Sequence, residues 1–317
     1  MLISVVMPAY NAGEFIGQAI ESVLAQTWHD FELIVVDDGS KDDTLTIVER
    51  YASKDGRIRV FTQPNSGTAP TLNRAIEIAT SQWVFIMHAD DLMHANRIER
   101  QMTYLAEYPE LAVLSSLVRH IDSKNRVIGK DNSKLTTYEA VSELVARNEL
   151  IGFNHPAVVL RKDVVLAIGG YRQAFWPAED LDLWNRLVEK GYRVLVQPEY
   201  LLDYRIHGNA ASVSRARLTR AKVRWLKDCM IRRRSGDVER SWEQFLADEK
   251  SAPLLTRIDR GRKDLAKILY KKAVSYYACR QYLSCAFTLA GALFLQPRLT
   301  VSQVISKSTF RQSEGIP

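Results

Sequence analysis

Three acidic pairs are the residues of this chain best suited to chemistry: Asp37-Asp38 in VVDDGS, Asp90-Asp91 in FIMHADD and Glu179-Asp180 in AEDLDLW. The first two each follow an apolar run that reads as a buried strand, Glu32 to Val36 and Trp83 to Met87. A strand that ends in two carboxylates sets both at the carboxyl edge of a sheet, where ligands bind in open α/β folds. Carboxylates there repel each other and are costly to desolvate unless a cation or donor groups meet them. A nucleotide ring with N–H donors and a divalent metal on a diphosphate would supply both. The alternative is that the pairs are solvated loop caps. Recurrence at equivalent strand ends, with a third pair downstream, argues against it.

The elements that must position these pairs follow from periodicity. Leu2 to Met7 is a β-branched, apolar run and reads as a buried strand, broken at Pro8-Ala9-Tyr10-Asn11. Phe15, Ile16, Ala19, Ile20, Val23 and Leu24 then recur at helical spacing. Phe31 to Val36 is the next strand, and Ser40 is expected to cap a following helix. Ile58 to Phe61, Leu72 to Ala79 and Trp83 to Met87 continue as strand, helix and strand. This alternation predicts an α/β fold with a mostly parallel, doubly wound, Rossmann-like sheet flanked by helices. After Asp91 helices and strands are mixed, with separate strands expected at Tyr192 to Val196 and Tyr200 to Arg205. From Arg215 the pattern is helical.

Composition sets further bounds. The 317 residues suffice for one large domain or two smaller ones, with apolar and charged fractions of 46% and 25% that fit a globular chain. Cys229, Cys279 and Cys285 lack a CxxC spacing, which argues against a disulfide framework or zinc site and fits a reducing compartment. The opening MLISVVMPAYN has no basic stretch before its apolar run, so it does not read as a signal peptide. The longest apolar run, near Phe287 to Leu295, falls short of the ~18 residues that span a bilayer. Residues 1–214 carry 21 Lys and Arg against 28 Asp and Glu, whereas 215–317 carry 22 against 9. That asymmetry suggests a boundary near 214, dividing an α/β domain (1–214) from a basic α-helical region (215–317). It also suggests an anionic partner for the second part: nucleic acid, a membrane surface or a lipid diphosphate. A solvated basic helical face is the alternative.

The ordered segments VVMPAYNAGEFIGQAIESVLAQTWHDFELIVVDDGSKDDT, NSGTAPTLNRAI, HADDLMHANRIERQ, GGYR…AEDLDLW and YRIHGNAAS cover about residues 2–212. In these the chain resembles family 2 glycosyltransferases of the GT-A fold, a group dominated by inverting enzymes that use nucleotide-diphosphate sugars. The resemblance implies roles by position. Pro8, Ala9, Tyr10 and Asn11 correspond to the nucleotide-side loop, with Tyr10 near the base. Asp38 corresponds to the carboxylate that accepts a base-ring N–H, for which uracil fits, with Asp37 and Asn73 beside the donor. Asp90 and Asp91 correspond to the ribose and metal element, which implies Mn²⁺ or Mg²⁺ as cofactor. Asp180 corresponds to the catalytic base, with Glu179 orienting it or taking its place. Tyr204-Arg205-x-His207 corresponds to a late motif that reaches the diphosphate or metal.

Each assignment has a plainer counterpart. Asp37 also serves as a turn former beside Gly39, and Asn11 and Asn73 as loop ties. Gly170 and Tyr171 read as a tight turn bounding an acceptor pocket, and Trp176 as a stacking platform for an acceptor sugar or as a loop anchor. His155, before Pro156, reads as packing. His88 stands where the family often has Asp, and it either alters metal preference or is a hydrogen-bonded strand-end residue. Arg232-Arg233-Arg234 with Trp225, Trp242 and Tyr276-Tyr277 reads as a surface for an anionic membrane or as a cap packed on the catalytic domain or a second subunit.

The expectation is therefore a cytoplasmic glycosyltransferase, peripheral on the inner membrane face. It would move a sugar from a UDP-sugar to a saccharide or lipid-linked acceptor for surface polysaccharide or glycoconjugate synthesis, alone or as a homo-oligomer. Two alternatives compete: a sugar-nucleotide-binding scaffold without transfer, suggested by His88, and a nucleic-acid-binding protein, suggested only by the basic tail.

Overall fold

The computed structural model describes residues 1–206, 215–297 and 300. Strands β1 (Ile3–Ala9), β2 (Phe31–Asp37), β3 (Ile58–Thr62) and β4 (Trp83–Ile86) alternate with helices α1 (Ile16–Leu24), α2 (Thr44–Ala52) and α3 (Thr68–Ile78). Their ladders are all parallel, in the order β3-β2-β1-β4. β1 and β2 are buried on both faces, which is why they read as near-continuous apolar runs rather than alternating ones.

The sheet continues as β8-β6-β9-β5 through β5 (Leu92–Met93), β6 (Leu111–Ile121), β8 (Val159–Arg161) and β9 (Arg193–Arg205), with β7 (Val127–Lys130) hairpinned onto β6. β8 joins β4 to β6 by antiparallel ladders, and β6 and β9 form a long parallel ladder. The sheet is mixed but mostly parallel, with helices α4 (Arg97–Glu107), α5 (Tyr138–Ala146), α6 (Lys162–Ala167) and α7 (Glu179–Glu189) among these strands.

Two expectations are corrected here. β9 is one strand, not two: Pro198, which cannot donate to a ladder, is absorbed by a register shift in which Ser116 faces Gln197 and Leu117 faces Tyr200. Ser40 does not cap α2, which starts at Thr44. Ser40 Oγ instead accepts the Asn11 N–H at 2.9 Å, and Thr44 Oγ1 accepts that of Ala12 at 2.8 Å, so the loops after β1 and β2 are tied together.

Helices α8 (Ala216–Arg234), α9 (Trp242–Ser251), α10 (Leu254–Ala278) and α11 (Tyr282–Leu295) make up the C-terminal region. A second apolar core, Phe175, Trp225, Leu226, Cys229 and Phe245, joins it to the sheet domain. The Phe175 and Trp225 rings stack at 4.2 Å. Arg233 pairs with Glu189 at 2.6 Å and with Glu239, and Arg234 donates to Val145 O at 3.1 Å. Of the residues offered to a membrane, Trp225 is turned inward at 4% exposure and Arg233 neutralises Glu189 of the body, whereas Tyr277 stays exposed. No helix among the described residues is long and apolar enough to cross a membrane.

Candidate active site

The carboxyl ends of β1, β2 and β4 open onto a cleft of about 1010 Å³, whose far wall is built by the segment before α7 and the start of α8. Pro8, Ala9, Tyr10 and Asn11 line it. Tyr10 is half exposed at the rim. Asn11, at φ 48°, accepts the Lys41 N–H at 2.8 Å and ties its loop in place.

Asp38 also lines the cleft, buried and held by the loop before α3. Its Oδ1 accepts from Gln63 Nε2 (2.8 Å), Ser66 N (2.9 Å) and Ser66 Oγ (3.1 Å), and its Oδ2 accepts from Gly67 N (2.9 Å). A carboxylate oxygen offers about two acceptor positions, so Oδ1 is saturated while Oδ2, with one donor, keeps a position open. A ring N–H can be accepted only at Asp38 Oδ2 without displacing Gln63 or Ser66. Asp37 points elsewhere: Oδ2 accepts the Ser40 N–H at 3.2 Å, as a turn former does, and the residue is not in the cleft wall.

At the end of β4, Asp90 faces the cleft and Asp91 lies behind it, 1% exposed. Asp91 Oδ1 accepts the Arg205 N–H at 2.8 Å, while Oδ2 is buried with no hydrogen-bond partner among the described residues. Burial, and then the neighbouring Asp90, push the Asp91 carboxyl well above its usual range. His88 Nδ1 stands 3.7 Å from that Asp91 oxygen. One ligand atom each from His88, Asp90 and Asp91 lie within 4.8 Å of one another. Two carboxylates and an imidazole, with one buried oxygen lacking a donor, fit a divalent cation. Arg205 is not in the cleft wall. It clamps the turn instead, donating to Asp90 O at 2.6 Å, Asn125 Oδ1 at 2.6 Å and Asp122 O at 3.1 Å. Tyr204 lines the cleft, and His207 lies outside the described residues.

Glu179 and Asp180 open α7 from the opposite wall. Burial raises Glu179 to about 8, with repulsion from Asp180 second, and burial raises Asp180 to about 6. The Leu181 N–H donates to Asp180 Oδ1 at 2.8 Å and favours its charged form, whereas Glu179 Oε2 has no partner among the described residues. Ionisation is therefore favoured at Asp180, which has a backbone donor, over Glu179, which is buried without one.

Three predicted site residues lie beneath the cleft rather than in its wall. Asn73 braces the turn before α7, accepting the Tyr171 N–H and donating to Tyr171 O, both at 2.8 Å. Gly170 is required there: at φ 61°, an added Cβ would stand 2.4 Å from Asn73 Oδ1. Tyr171 is buried, and its hydroxyl meets His155 Nε2 at 2.8 Å. Trp176 does line the cleft, with the Arg215 guanidinium 4.6 Å from its ring centroid. Sequence reasoning missed His155, Gln173, Arg215 and Thr219, all in the cleft wall. Of these only His155 carried a signal, an imidazole beside a proline, and its partner His88 is 67 positions away.

The family model for glycosyl transferase family 2 matches residues 4–168. The chain is 28% identical over 217 residues to the uncharacterized glycosyltransferase MJ1057 of Methanocaldococcus jannaschii, covering 68% of this chain and 74% of that one. It is 28% identical over 235 residues to the putative teichuronic acid biosynthesis glycosyltransferase TuaG of Bacillus subtilis, covering 71% and 86%. Among solved structures it resembles S. aureus TarS 1–349 in complex with UDP-GlcNAc (TM-score 0.55, 17% identity, 94% and 92% covered). It also resembles the mannosyltransferase PcManGT from Pyrobaculum calidifontis in complex with GDP-Man and Mn²⁺ (TM-score 0.54, 17% identity, 98% and 81% covered). These likenesses agree with the GT-A arrangement of the sheet. With a family model that spans more than half of its length, the chain belongs to glycosyl transferase family 2.

Proposed function

We propose that the protein is an inverting, metal-dependent hexosyltransferase. It takes a UDP-sugar as donor and a saccharide or lipid-linked saccharide as acceptor, in the assembly of a surface polysaccharide or glycoconjugate at the inner face of a membrane. The observation that carries this reading is convergence: Asp38, Asp90 and Asp180, from the ends of β2 and β4 and the start of α7, border a single cleft. The UDP-GlcNAc complex of TarS and the teichuronic acid role in the name of TuaG support the donor and the pathway class.

In this reading Tyr10 and the Asp38 loop hold the base, and Asp90, Asp91 and His88 would hold the cation. A divalent ion bound there would neutralise the departing diphosphate. Asp180 accepts the proton of the acceptor hydroxyl as that oxygen bonds to the anomeric carbon. The bond from that carbon to the phosphate oxygen breaks, and its electron pair leaves with the nucleoside diphosphate. The anomeric carbon passes through an oxocarbenium-like state, as in glycoside hydrolysis. A single carboxylate on the acceptor side gives a single displacement and inversion. Glu179, protonated at neutral pH, adds no second negative charge beside Asp180.

A thermal-shift screen of nucleotide sugars, with and without Mn²⁺, tests the donor assignment, because a ligand that binds only the native state raises its melting temperature. The expected result is a metal-dependent shift with UDP-sugars that Asp90→Ala abolishes. A shift that is identical without metal, or unchanged in Asp90→Ala, would refute the metal assignment.

A further inference from the structure

A second groove, of about 430 Å³, lies between the first turn of α8 and the middle of α10. Leu218, Leu265 and Leu269 supply apolar wall, and Arg215, Arg217 and Lys272 supply positive charge. No acidic side chain lines it among the described residues. Such a surface is matched neither by a free anion, which would leave the leucines idle, nor by a neutral hydrocarbon, which would leave three cations facing it. It is matched by a phosphate carried on a hydrocarbon chain.

Two further observations give this groove its context. Arg215 lines both the groove and the catalytic cleft, so one ligand can reach from one to the other past a single side chain. Next to the groove α10 packs against α11, where an added Cβ at Gly291 would lie 3.1 Å from Leu269. α11 contains no charged residue. Its outward stripe bears Leu283, Phe287 and Phe294, which are 80%, 79% and 87% exposed. Residues 254–297 nonetheless hold eight Lys and Arg against two Asp. An apolar stripe in cationic surroundings suits an anionic bilayer. A second copy of the chain would bring like charges together.

We propose that the α8–α10 groove binds the phosphate-bearing lipid end of the acceptor, with the α11 stripe resting on the bilayer from which that lipid comes. The saccharide then extends past Arg215 and Trp176 toward Asp180. This deepens the proposed transfer to a lipid-linked acceptor. It is read by binding alone, without donor or metal, so it and the cleft chemistry can fail separately.

The test uses the full chain and isothermal titration with dodecyl phosphate, inorganic phosphate and dodecyl maltoside. Dodecyl phosphate should bind at least about tenfold more tightly than the other two, and Arg217→Glu/Lys272→Glu should weaken it by at least about tenfold. These side chains are exposed, so an unchanged melting temperature is expected to confirm folding. Equal affinity for inorganic phosphate or for the maltoside, or no effect of the double reversal, would overturn the proposal. Phosphatidylglycerol vesicles separate the two sources of lipid phosphate. Phe287→Ser/Phe294→Ser should lose vesicle binding yet keep dodecyl phosphate, while the double reversal should do the opposite. If the double reversal abolishes both together, the groove takes bilayer headgroups and the acceptor assignment falls.

Discussion

His88 Nε2 lies 2.9 Å from His155 Nδ1, and His155 Nε2 in turn lies 2.8 Å from the Tyr171 hydroxyl. Burial lowers the pKa of both imidazoles, so both rings are neutral, and one of the two facing nitrogens carries the shared proton. When that proton is on His88, its Nδ1 lone pair faces the buried Asp91 oxygen. A ligating histidine is commonly fixed by such a partner on its other nitrogen. In the proposed metal reading, His155 and Tyr171 would position His88 as a nitrogen ligand where an aspartate is frequent in the family.

His155→Phe removes that partner while keeping a ring in the space. Mn²⁺ affinity, read from the electron paramagnetic resonance of free Mn²⁺ in the presence of UDP, should fall about 10- to 100-fold. His88→Asp should move preference from Mn²⁺ toward Mg²⁺, since oxygen ligands suit the harder ion. Unchanged affinity in the first variant and unchanged preference in the second would show that the histidine pair is only packing.

Glu179 makes a stability prediction with a definite sign. Burial raises its folded-state pKa from 4.5 to about 8, so between those values the native state binds the proton that the unfolded chain releases. Stability contributed by the protonated form is present at low pH and is lost as pH rises through this window. Glu179→Gln, which stays neutral, should therefore be more stable than the parent at pH 8 by about 2 kcal/mol, with a gain that shrinks toward pH 5. Melting curves across that range check it; a gain that grows toward low pH would contradict the burial argument.

The C-terminal region supports the segment that leads into Asp180. Lys222 Nζ donates to Ala174 O at 2.6 Å, and Arg172 bridges Asp182 at 2.5 Å and Glu239 at 3.0 Å. Residues 1–214 alone would expose Phe175, Leu181 and Leu150. That fragment should aggregate, and Trp225→Ala in the full chain should cost about 3–5 kcal/mol. A monodisperse, folded fragment in analytical ultracentrifugation would show that the boundary divides independent domains.

The strand ends were legible because parallel, doubly buried strands leave apolar runs that stop abruptly at their ligand-facing residues, as β2 does at Asp37 and β4 before Asp90. Which member of each pair faces the cleft was not legible. Asp38 and Asp90 face it while Asp37 and Asp91 do not, and that depends on ties to Ser40 and Arg205 from other loops. Tyr171, expected on the acceptor side, lies buried beneath the cleft because its turn is set by Asn73, 98 positions earlier. The inward face of α8 was hidden for a similar reason: Arg233 gives no sign in a helical pattern that Glu189, 44 positions away, will neutralise it.

Asp180 as the base is the central assignment of the proposed mechanism. In Asp180→Asn, UDP-sugar affinity in the presence of Mn²⁺ should stay within about twofold of the parent, while transfer falls by at least about 100-fold. In the parent, transfer should decline as pH drops through about 6, where Asp180 takes up a proton. Parallel titrations of donor binding and of single-turnover transfer on the two proteins decide the matter. Preserved binding with abolished transfer is the predicted result, and lost donor binding with proportionate residual transfer would contradict it by assigning Asp180 to the nucleotide.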